Sequence, residues 1–279
     1  MASVSALTLW HNPRYVRIYK ISQYERLFSL PFAINNGFRI HYQVVGSDGP
    51  PLILQHGLTN SGEDWKRFNY VKKIENDFRL ILIDARGHGL SDKSYDPDDY
   101  RLSTRAMDVV AVMDHMSLDK THYWGFSMGA SIGYGLMLNA PNRIDRMVLG
   151  GAQPYQVPAG GPILKALEQG PQGFLKLVES SGVVLAADRR AEILAMDTEA
   201  VSTATKYPDE SDVIVPAMRH FDRPTLIYSG DLDHNYELIC RVSEDNPRFE
   251  IASLQGLDHI GSWGSVTKVT NIATEFLNR

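Results

Sequence analysis

Short apolar runs alternate along this chain with segments in which apolar residues recur every three or four positions. Two continuous runs, 52–54 and 79–83, are typical of parallel strands buried on both faces. Residues 39–45 alternate apolar and polar positions, which predicts a half-exposed, edge-type strand. Further short runs predict strands at 122–124, 147–149, 225–229 and 249–253.

Helical spacing is clearest in three segments between and after these runs. Apolar residues from Leu102 to Met116 fall on one helix face, with Ser103 or Thr104 as the expected N-cap. A helix rich in small residues is predicted over 128–138, and a last helix over about 266–276. Strands that alternate with helices in this way predict an α/β fold with a mostly parallel central sheet and helices on both faces.

Residues 154–221 interrupt the alternation. They contain no clear strand, but they include helix-like pieces at 163–167 and 190–196. A simple crossover needs only a dozen or so residues, so these residues favour a helical lid inserted into a core of residues 33–153 and 222–279. A pair of ordinary connecting helices is the alternative. Residues 1–32 are interpreted as an N-terminal extension.

The composition excludes several classes of protein. With 279 residues, 43% of them hydrophobic and 22% charged, the chain can bury a large core. The single cysteine, Cys240, leaves no internal disulfide and no cysteine-based zinc or redox motif. A net charge of −5 argues against a general nucleic-acid binder.

No apolar run is long enough for a membrane-spanning helix, so stable insertion into a membrane is not expected. Basic residues follow the apolar N-terminus instead of preceding it, which is the opposite order to a secretory signal. We therefore expect a cytoplasmic protein.

The pentapeptide at 125–129, Gly-Phe-Ser-Met-Gly, is the sharpest chemical signal. It follows a predicted strand and opens a predicted helix, which is the setting of a nucleophile elbow. There, a tight turn lifts the hydroxyl of Ser127 clear of the sheet, at the positive N-terminal end of the helix. The alternative is that Ser127 only caps the helix.

A serine hydroxyl needs a base, and the base needs an orienting carboxylate. His259 follows the last predicted strand in a loop, at the same sheet edge as Ser127, which makes it the expected base. Asp231 and Asp233 follow the preceding strand. Asp233 lies further into the loop and is favoured as the orienting acid, while Asp231 is expected to close the turn. Asp258 is a poor choice because adjacent side chains diverge.

Backbone amides are the usual donors to a developing oxyanion. Met128, directly after the nucleophile, offers one. Leu58 is expected to offer the second, from the loop after the strand at 52–54, where Gly57 permits a tight turn. His56 in this loop has two interpretations, a structural hydrogen-bonding residue or a catalytic base, and its position favours the first.

From about residue 33 onward the chain resembles the α/β-hydrolase fold superfamily, in its serine-nucleophile, esterase-like and lipase-like branch. The resemblance rests on residues 56–57, 84–91, 125–129 and 230–233 and on His259, in the family order of serine, aspartate and histidine. It implies Ser127 as nucleophile, Asp233 as orienting acid, His259 as base, oxyanion amides at Leu58 and Met128, and a lid between the sixth and seventh core strands. Residues 84–91 resemble a structural loop of the family.

The expected activity is hydrolysis of a small carboxylic ester or related acyl compound through an acyl-enzyme, without cofactor or metal. No phosphate-binding loop, dinucleotide fingerprint or H-E-x-x-H zinc motif occurs. Lactonases, carbon–carbon bond hydrolases and perhydrolases of this fold share the triad. Epoxide and haloalkane hydrolases of the fold carry an aspartate where Ser127 stands. A slow-turnover ligand sensor and an interaction module with a dead site are the alternatives outside catalysis. The sequence predicts neither the substrate nor the oligomeric state.

Overall fold

One sheet organises the part of the chain that the computed structural model describes, residues 31–156, 160–180, 182 and 184–279. Its order is β1-β2-β4-β3-β5-β6-β7-β8. The strands are β1 (Phe32–Asn35), β2 (Phe38–Val45), β3 (Pro51–Gln55), β4 (Arg79–Ile83), β5 (Thr121–Phe126), β6 (Ile144–Gly150), β7 (Thr225–Gly230) and β8 (Phe249–Leu254).

Strand direction brings the chemically interesting loops together. β2 pairs antiparallel with β4, while all neighbours from β4 through β3, β5, β6, β7 and β8 pair parallel. The loops after β3, β5, β7 and β8 therefore leave the sheet at one edge. The expectation that residues 39–45 form an edge strand is wrong, because β1, which has no sequence signal of its own, lies beyond β2.

Helices connect the strands. They are α1 (Gly62–Arg67), α2 (Tyr70–Ile74), α3 (Leu102–His115), α4 (Met128–Asn139), α5 (Pro162–Glu168), α6 (Gly170–Ser180), α7 (Ala187–Leu194), α8 (Thr198–Thr203), α9 (Ser211–His220), α10 (Tyr236–Asp245), α11 (His259–Gly264) and α12 (Val266–Leu277). Helix α3 begins at Leu102 with Arg101 as its N-cap, so neither Ser103 nor Thr104 caps it. The Ser103 hydroxyl instead donates to Glu210.

The two faces of the sheet have separate apolar cores, as the alternation of side chains along a strand requires. Ile53, Ile81 and Tyr123 point to the face covered by α3 and α4. Leu54 and Trp124, from the same strands, point to the face covered by α1, α2 and α12. Burial on both faces explains why β3 and β4 read as continuous apolar runs.

The residues predicted as a lid, 154–221, divide by their packing. Helices α5 to α8 enclose a small apolar cluster of their own, centred on Leu167, Phe174 and Ile193. Helix α9 instead contributes Ile214 and Met218 to the core beside α4.

The predicted N-terminal extension lies outside the described residues up to residue 30. No helix within the described ranges is both long and apolar enough to cross a bilayer.

Candidate active site

Ser127 stands in a strained turn between β5 and α4. Its φ of 52° and ψ of −116° are unusual for a residue with a side chain. The Ser127 amide donates to the Gly150 carbonyl at 2.7 Å, which ties the turn to β6. Backbone strain of this kind persists only where the surrounding structure imposes it, and it is concentrated at functional sites.

The two glycines of the pentapeptide are required by close backbone packing. A Cβ on Gly125 would lie 2.4 Å from the carbonyl carbon of Gly129. A Cβ on Gly129 would lie 2.1 Å from the carbonyl oxygen of Gln55. The start of α4 can therefore approach the ends of β5 and β3 only because these positions lack side chains.

Ser127, His259 and Asp233 form a continuous chain of hydrogen bonds. The Oγ atom of Ser127 lies 3.0 Å from Nε2 of His259. On the other side of the ring, Nδ1 of His259 lies 2.8 Å from Oδ2 of Asp233. A carboxylate bonded at Nδ1 keeps the proton there, so Nε2 is left to accept the proton of the serine hydroxyl.

Asp233 is held ionised in a buried position, with its side chain 0% exposed. Burial raises the pKa of its carboxyl group. The hydrogen bonds from His259 and from the Asn235 amide, together with the adjacent imidazoles, outweigh that effect, so the pKa lies below its ordinary value. The Ser229 hydroxyl also donates to Oδ2, at 3.2 Å.

His259 is the first residue of a short helix, α11, and not a loop residue as the sequence predicts. The side chain of Asp258 caps this helix by accepting from the Gly261 amide at 2.7 Å. Asp258 thus has a local structural role. Gly151 lies against the imidazole, since a Cβ there would be 2.9 Å from Cε1 of His259.

Asp231 is not part of the hydrogen-bond chain. Its Oδ1 accepts from the Gly256 amide at 2.7 Å, which closes the turns after β7 and β8. The sequence preference for Asp233 over Asp231 as the partner of His259 agrees with this geometry.

His56 connects two loops in the interior. Its Nε2 accepts from the Ala85 amide at 3.0 Å, and its Nδ1 lies 2.8 Å from the Gly57 carbonyl. Burial lowers the pKa of its imidazole, which favours the neutral ring that this pattern requires. The structural interpretation of His56 therefore fits the geometry better than the catalytic one.

Asp84 anchors the loop at residues 84–91. It accepts from the amides of Gly62 and Leu90, at 2.7 and 2.9 Å, and lies 2.9 Å from Nδ1 of His41. These bonds join the loops after β3 and β4, in line with the structural role that the resemblance implies for this stretch.

The two predicted oxyanion donors flank the nucleophile. A Cβ on Gly57 would lie 3.4 Å from Cβ of Ser127, so the loop that carries Leu58 passes directly beside the serine. Neither the Leu58 amide nor the Met128 amide donates a hydrogen bond to another residue in the described ranges. Both amides are thus available to a ligand at Ser127.

A group of metal-ligand type overlaps the hydrogen-bond chain. Asp233, His234 and His259 present ligand atoms within 4.8 Å of one another among the described residues. Oδ2 of Asp233 and Nδ1 of His259 already share a proton, which a metal ion would have to replace. A metal ion bound there would therefore break the hydrogen bond between His259 and Asp233.

Several supporting residues have no sequence signal that singles them out. Ser229 and Asn235 bond the carboxylate of Asp233, and the Ser262 hydroxyl accepts from the Gly230 amide at 2.8 Å. A buried carboxylate must be hydrogen-bonded, so partners of this kind are expected around Asp233. That rule does not say which residues they are.

Comparison with known proteins shows what the chain is similar to. The alpha/beta hydrolase fold family profile matches residues 50–180. A soluble epoxide hydrolase from Corynebacterium sp. (strain C12) is 32% identical over 46% of this chain and 43% of its own length. The chain spans between 40% and 54% of the length of eight curated relatives that it matches.

Two solved structures share the fold over most of the chain. An esterase from Rhodococcus sp. ECU1013 superimposes with a TM-score of 0.76 at 22% identity, covering 90% of this chain and 98% of the esterase. The enol-lactonase from Burkholderia xenovorans LB400 superimposes with a TM-score of 0.74 at 22% identity, covering 89% of this chain and 100% of the lactonase.

The described part of the chain has the α/β-hydrolase fold, as its sequence motifs predict.

Proposed function

We propose that this protein is a serine hydrolase that cleaves a carboxylic ester of a small molecule through an acyl-enzyme intermediate. The observation that carries the proposal is the unbroken path from the hydroxyl of Ser127 through His259 to Asp233, at 3.0 and 2.8 Å. A hydroxyl, an imidazole and a buried carboxylate in this order are the parts that nucleophilic acyl transfer needs.

Acylation begins with proton transfer. Nε2 of His259 takes the proton of Ser127 as Oγ attacks the ester carbonyl, and the carbonyl oxygen becomes an oxyanion. The amides of Leu58 and Met128 donate to that oxygen. The tetrahedral intermediate then collapses, the bond to the alkoxy group breaks, and His259 gives the departing alcohol its proton.

Deacylation repeats these steps with water. His259 removes a proton from a water molecule, the hydroxide attacks the acyl group on Ser127, and the Ser127 oxygen leaves with the proton from His259. The carboxylate of Asp233 stays ionised throughout and stabilises the imidazolium formed in each half-reaction. Its lowered pKa supports this role.

Lactone hydrolysis is a second candidate within the same chemistry. A lactone is a cyclic ester, so the steps are unchanged except that the departing alcohol remains attached to the acyl group. The similarity in fold to the enol-lactonase favours testing this class beside open-chain esters.

Epoxide hydrolysis is disfavoured despite the similarity to a soluble epoxide hydrolase. A serine that opened an epoxide would form an ether, which activated water does not hydrolyse. A carboxylate nucleophile forms an ester instead, which water can cleave. Ser127 at the elbow is therefore the wrong nucleophile for that reaction.

We also propose that helices α5 to α8, within the segment 154–221, cover the site as a lid. Helices α5 to α8 have an apolar cluster of their own, and the side chain of Leu58 packs against it as well as against the main core. The segment is thus in contact with the loop that carries one of the two oxyanion amides.

The experiment that tests the proposed function is steady-state hydrolysis of p-nitrophenyl esters of two to eight carbons and of lactones with four- to seven-membered rings. We expect turnover by the wild type and a loss of about 10⁶-fold in kcat for Ser127→Ala and for His259→Ala. A stoichiometric burst with almost no steady state would favour the slow-turnover sensor. Wild-type turnover retained in Ser127→Ala would refute the serine mechanism.

A further inference from the structure

The loop that carries the Leu58 amide has an unfavourable backbone conformation. The Asn60 amide donates to the Gly57 carbonyl at 3.3 Å, which closes a turn around Leu58 and Thr59. Thr59 has a φ of 65°. A turn with positive φ at its third position favours glycine or asparagine, and a β-branched residue is an outlier there. Something outside the turn must therefore hold it in this shape.

Arg189, from helix α7 of the proposed lid, contacts this turn directly. Its Nη2 donates to the carbonyl oxygen of Thr59 at 3.1 Å and to the side-chain oxygen of Asn60 at 3.2 Å. The guanidinium thus bonds the strained residue itself and the residue that closes the turn.

Two acidic side chains hold the guanidinium of Arg189 in place. Nη1 of Arg189 lies 3.1 Å from Glu192 and 3.8 Å from the buried carboxylate of Asp64. Asp64 is anchored to the same loop, because its Oδ2 accepts from the Ser61 amide at 2.8 Å. The side chain of Arg189 is only 15% exposed, so these interactions are partly shielded from water.

The turn borders a cavity on the side of these bonds. A cavity of about 440 Å³ is lined there by Thr59, Asn60, Ser61 and Arg189 among others. Leu58 does not line this cavity and packs against the cluster of α5 to α8 and the main core. Hydrogen bonds to Arg189 therefore replace side-chain packing on the cavity side.

We infer that Arg189 is a positioning residue for catalysis: by holding Thr59 and Asn60, it keeps the Leu58 amide directed at the oxyanion. Arg189 acts through the turn and touches no reacting atom. The inference rests on the proposed function, because it assumes that Leu58 donates to the transition state. It gives Arg189 a role in the reaction rate, in addition to the proposed covering of the site by helix α7.

The test compares Arg189→Met with Arg190→Met. Arg190 lies on the same helix, and its guanidinium pairs with Glu179 away from the turn. Active sites are counted first with a fluorophosphonate, so that kcat refers to folded enzyme. For Arg189→Met we expect kcat to fall by about 10- to 100-fold with KM within about threefold of the wild type, as for a weakened oxyanion donor. Arg190→Met should match the wild type.

A transition-state analogue separates positioning from a general structural defect. An aryl trifluoromethyl ketone adds Ser127 Oγ to its carbonyl carbon, passes the serine proton to His259 and leaves an oxyanion on its former carbonyl oxygen. Its inhibition constant should rise in Arg189→Met by the same factor by which kcat/KM falls. The inhibition constant of the alcohol product, which carries no negatively charged oxygen, should stay within about threefold.

A second substitution that restores kcat in Arg189→Met is a further test of the positioning role. Asparagine adopts positive φ more readily than threonine, so Thr59→Asn in the Arg189→Met background should recover at least about threefold of the lost kcat. If Arg189→Met does not fold, Arg189→Lys is measured in the same way. We then expect kcat to fall below that of the wild type, but by less than about tenfold.

The outcomes distinguish this inference from the proposed function. The positioning role would be overturned if Arg189→Met kept the wild-type kcat per active site and the wild-type inhibition constant of the ketone, while Ser127→Ala was inactive. If only Arg189→Lys folds, the same result in that variant would overturn it. Absence of turnover and of labelling in the wild type would instead overturn the proposed function.

Discussion

Gly129 faces the carbonyl oxygen of Gln55 so closely that a Cβ on the glycine would lie 2.1 Å from it. That oxygen belongs to the last residue of β3, immediately before the loop that carries Leu58. The contact thus sets the distance between the nucleophile elbow and the proposed oxyanion loop. Because both partners are backbone, neither can move aside by changing a rotamer.

We expect Gly129→Ala to destabilise the protein by about 3 kcal/mol and to lower kcat, because the added methyl group must push β3 away from α4. Gly264→Ala is the matched control, since a Cβ at Gly264 meets nothing within 4 Å. Its effect should stay within about 1 kcal/mol. Urea unfolding of both variants measures the difference. Equal stabilities would contradict the packing described for the elbow.

Asp233→Asn should lower kcat by about 10⁴-fold, because the amide no longer holds the His259 imidazole in the tautomer that leaves Nε2 free to accept a proton. Asp231→Asn is the control, since Asp231 bonds the Gly256 amide and not the imidazole. That variant should lose about 1 kcal/mol of stability and keep its kcat within a few-fold. The reverse ranking of kcat in ester hydrolysis would show that the orienting carboxylate is assigned to the wrong residue.

Asp84→Asn should destabilise the protein by about 3 kcal/mol at pH 7, since it removes a buried charge whose side chain is 5% exposed and which accepts several hydrogen bonds. Burial raises the pKa of this carboxyl, but the hydrogen bonds from His41, Leu90 and Gly62 bring it below its ordinary value.

The lowered pKa of Asp84 fixes the sign of the pH dependence. The ionised carboxylate stabilises the folded state fully above the ordinary carboxyl pKa of about 3.9, and this contribution is lost as the pH falls through the lower folded-state pKa. The stability difference between wild type and Asp84→Asn should therefore shrink in acid, as measured by urea unfolding from pH 7 to pH 3. Asp98→Asn, at a carboxylate 65% exposed, should show a small difference throughout. If the difference in the free energy of unfolding between the wild type and Asp84→Asn grew in acid, this assignment would be contradicted.

The sequence predicts most of the sheet because its strands are buried on both faces. The run at 79–83 matches β4 residue for residue, and the elbow follows from glycine spacing in a strand–helix setting. β1 is not predicted, since its four residues carry no repeat of apolar positions long enough to indicate a strand. The short helix that begins at His259 is missed for the same reason, as six residues with two glycines lack helical periodicity.

The residues of the candidate site also differ in whether the sequence predicts them. Ser127, Asp233 and His259 each follow a strand at the same edge of the sheet, and the parallel pairing of these strands brings them together. The contacts of Arg189 join residues 130 positions apart, and no local pattern encodes such a pairing. Thr59 gives no signal either, because its positive φ is imposed by the fold and opposes the residue's own preference.

Labelling with a fluorophosphonate, followed by mass spectrometry of the digested protein, tests the central claim most directly. The reagent forms a phosphorus–oxygen bond with an activated serine and releases fluoride, so it reports the nucleophile without requiring the natural substrate. We expect one adduct, on the peptide containing Ser127, strongly slowed in His259→Ala and absent in Ser127→Ala. An adduct on a different serine, or labelling of Ser127 at the same rate without His259, would contradict the proposed triad.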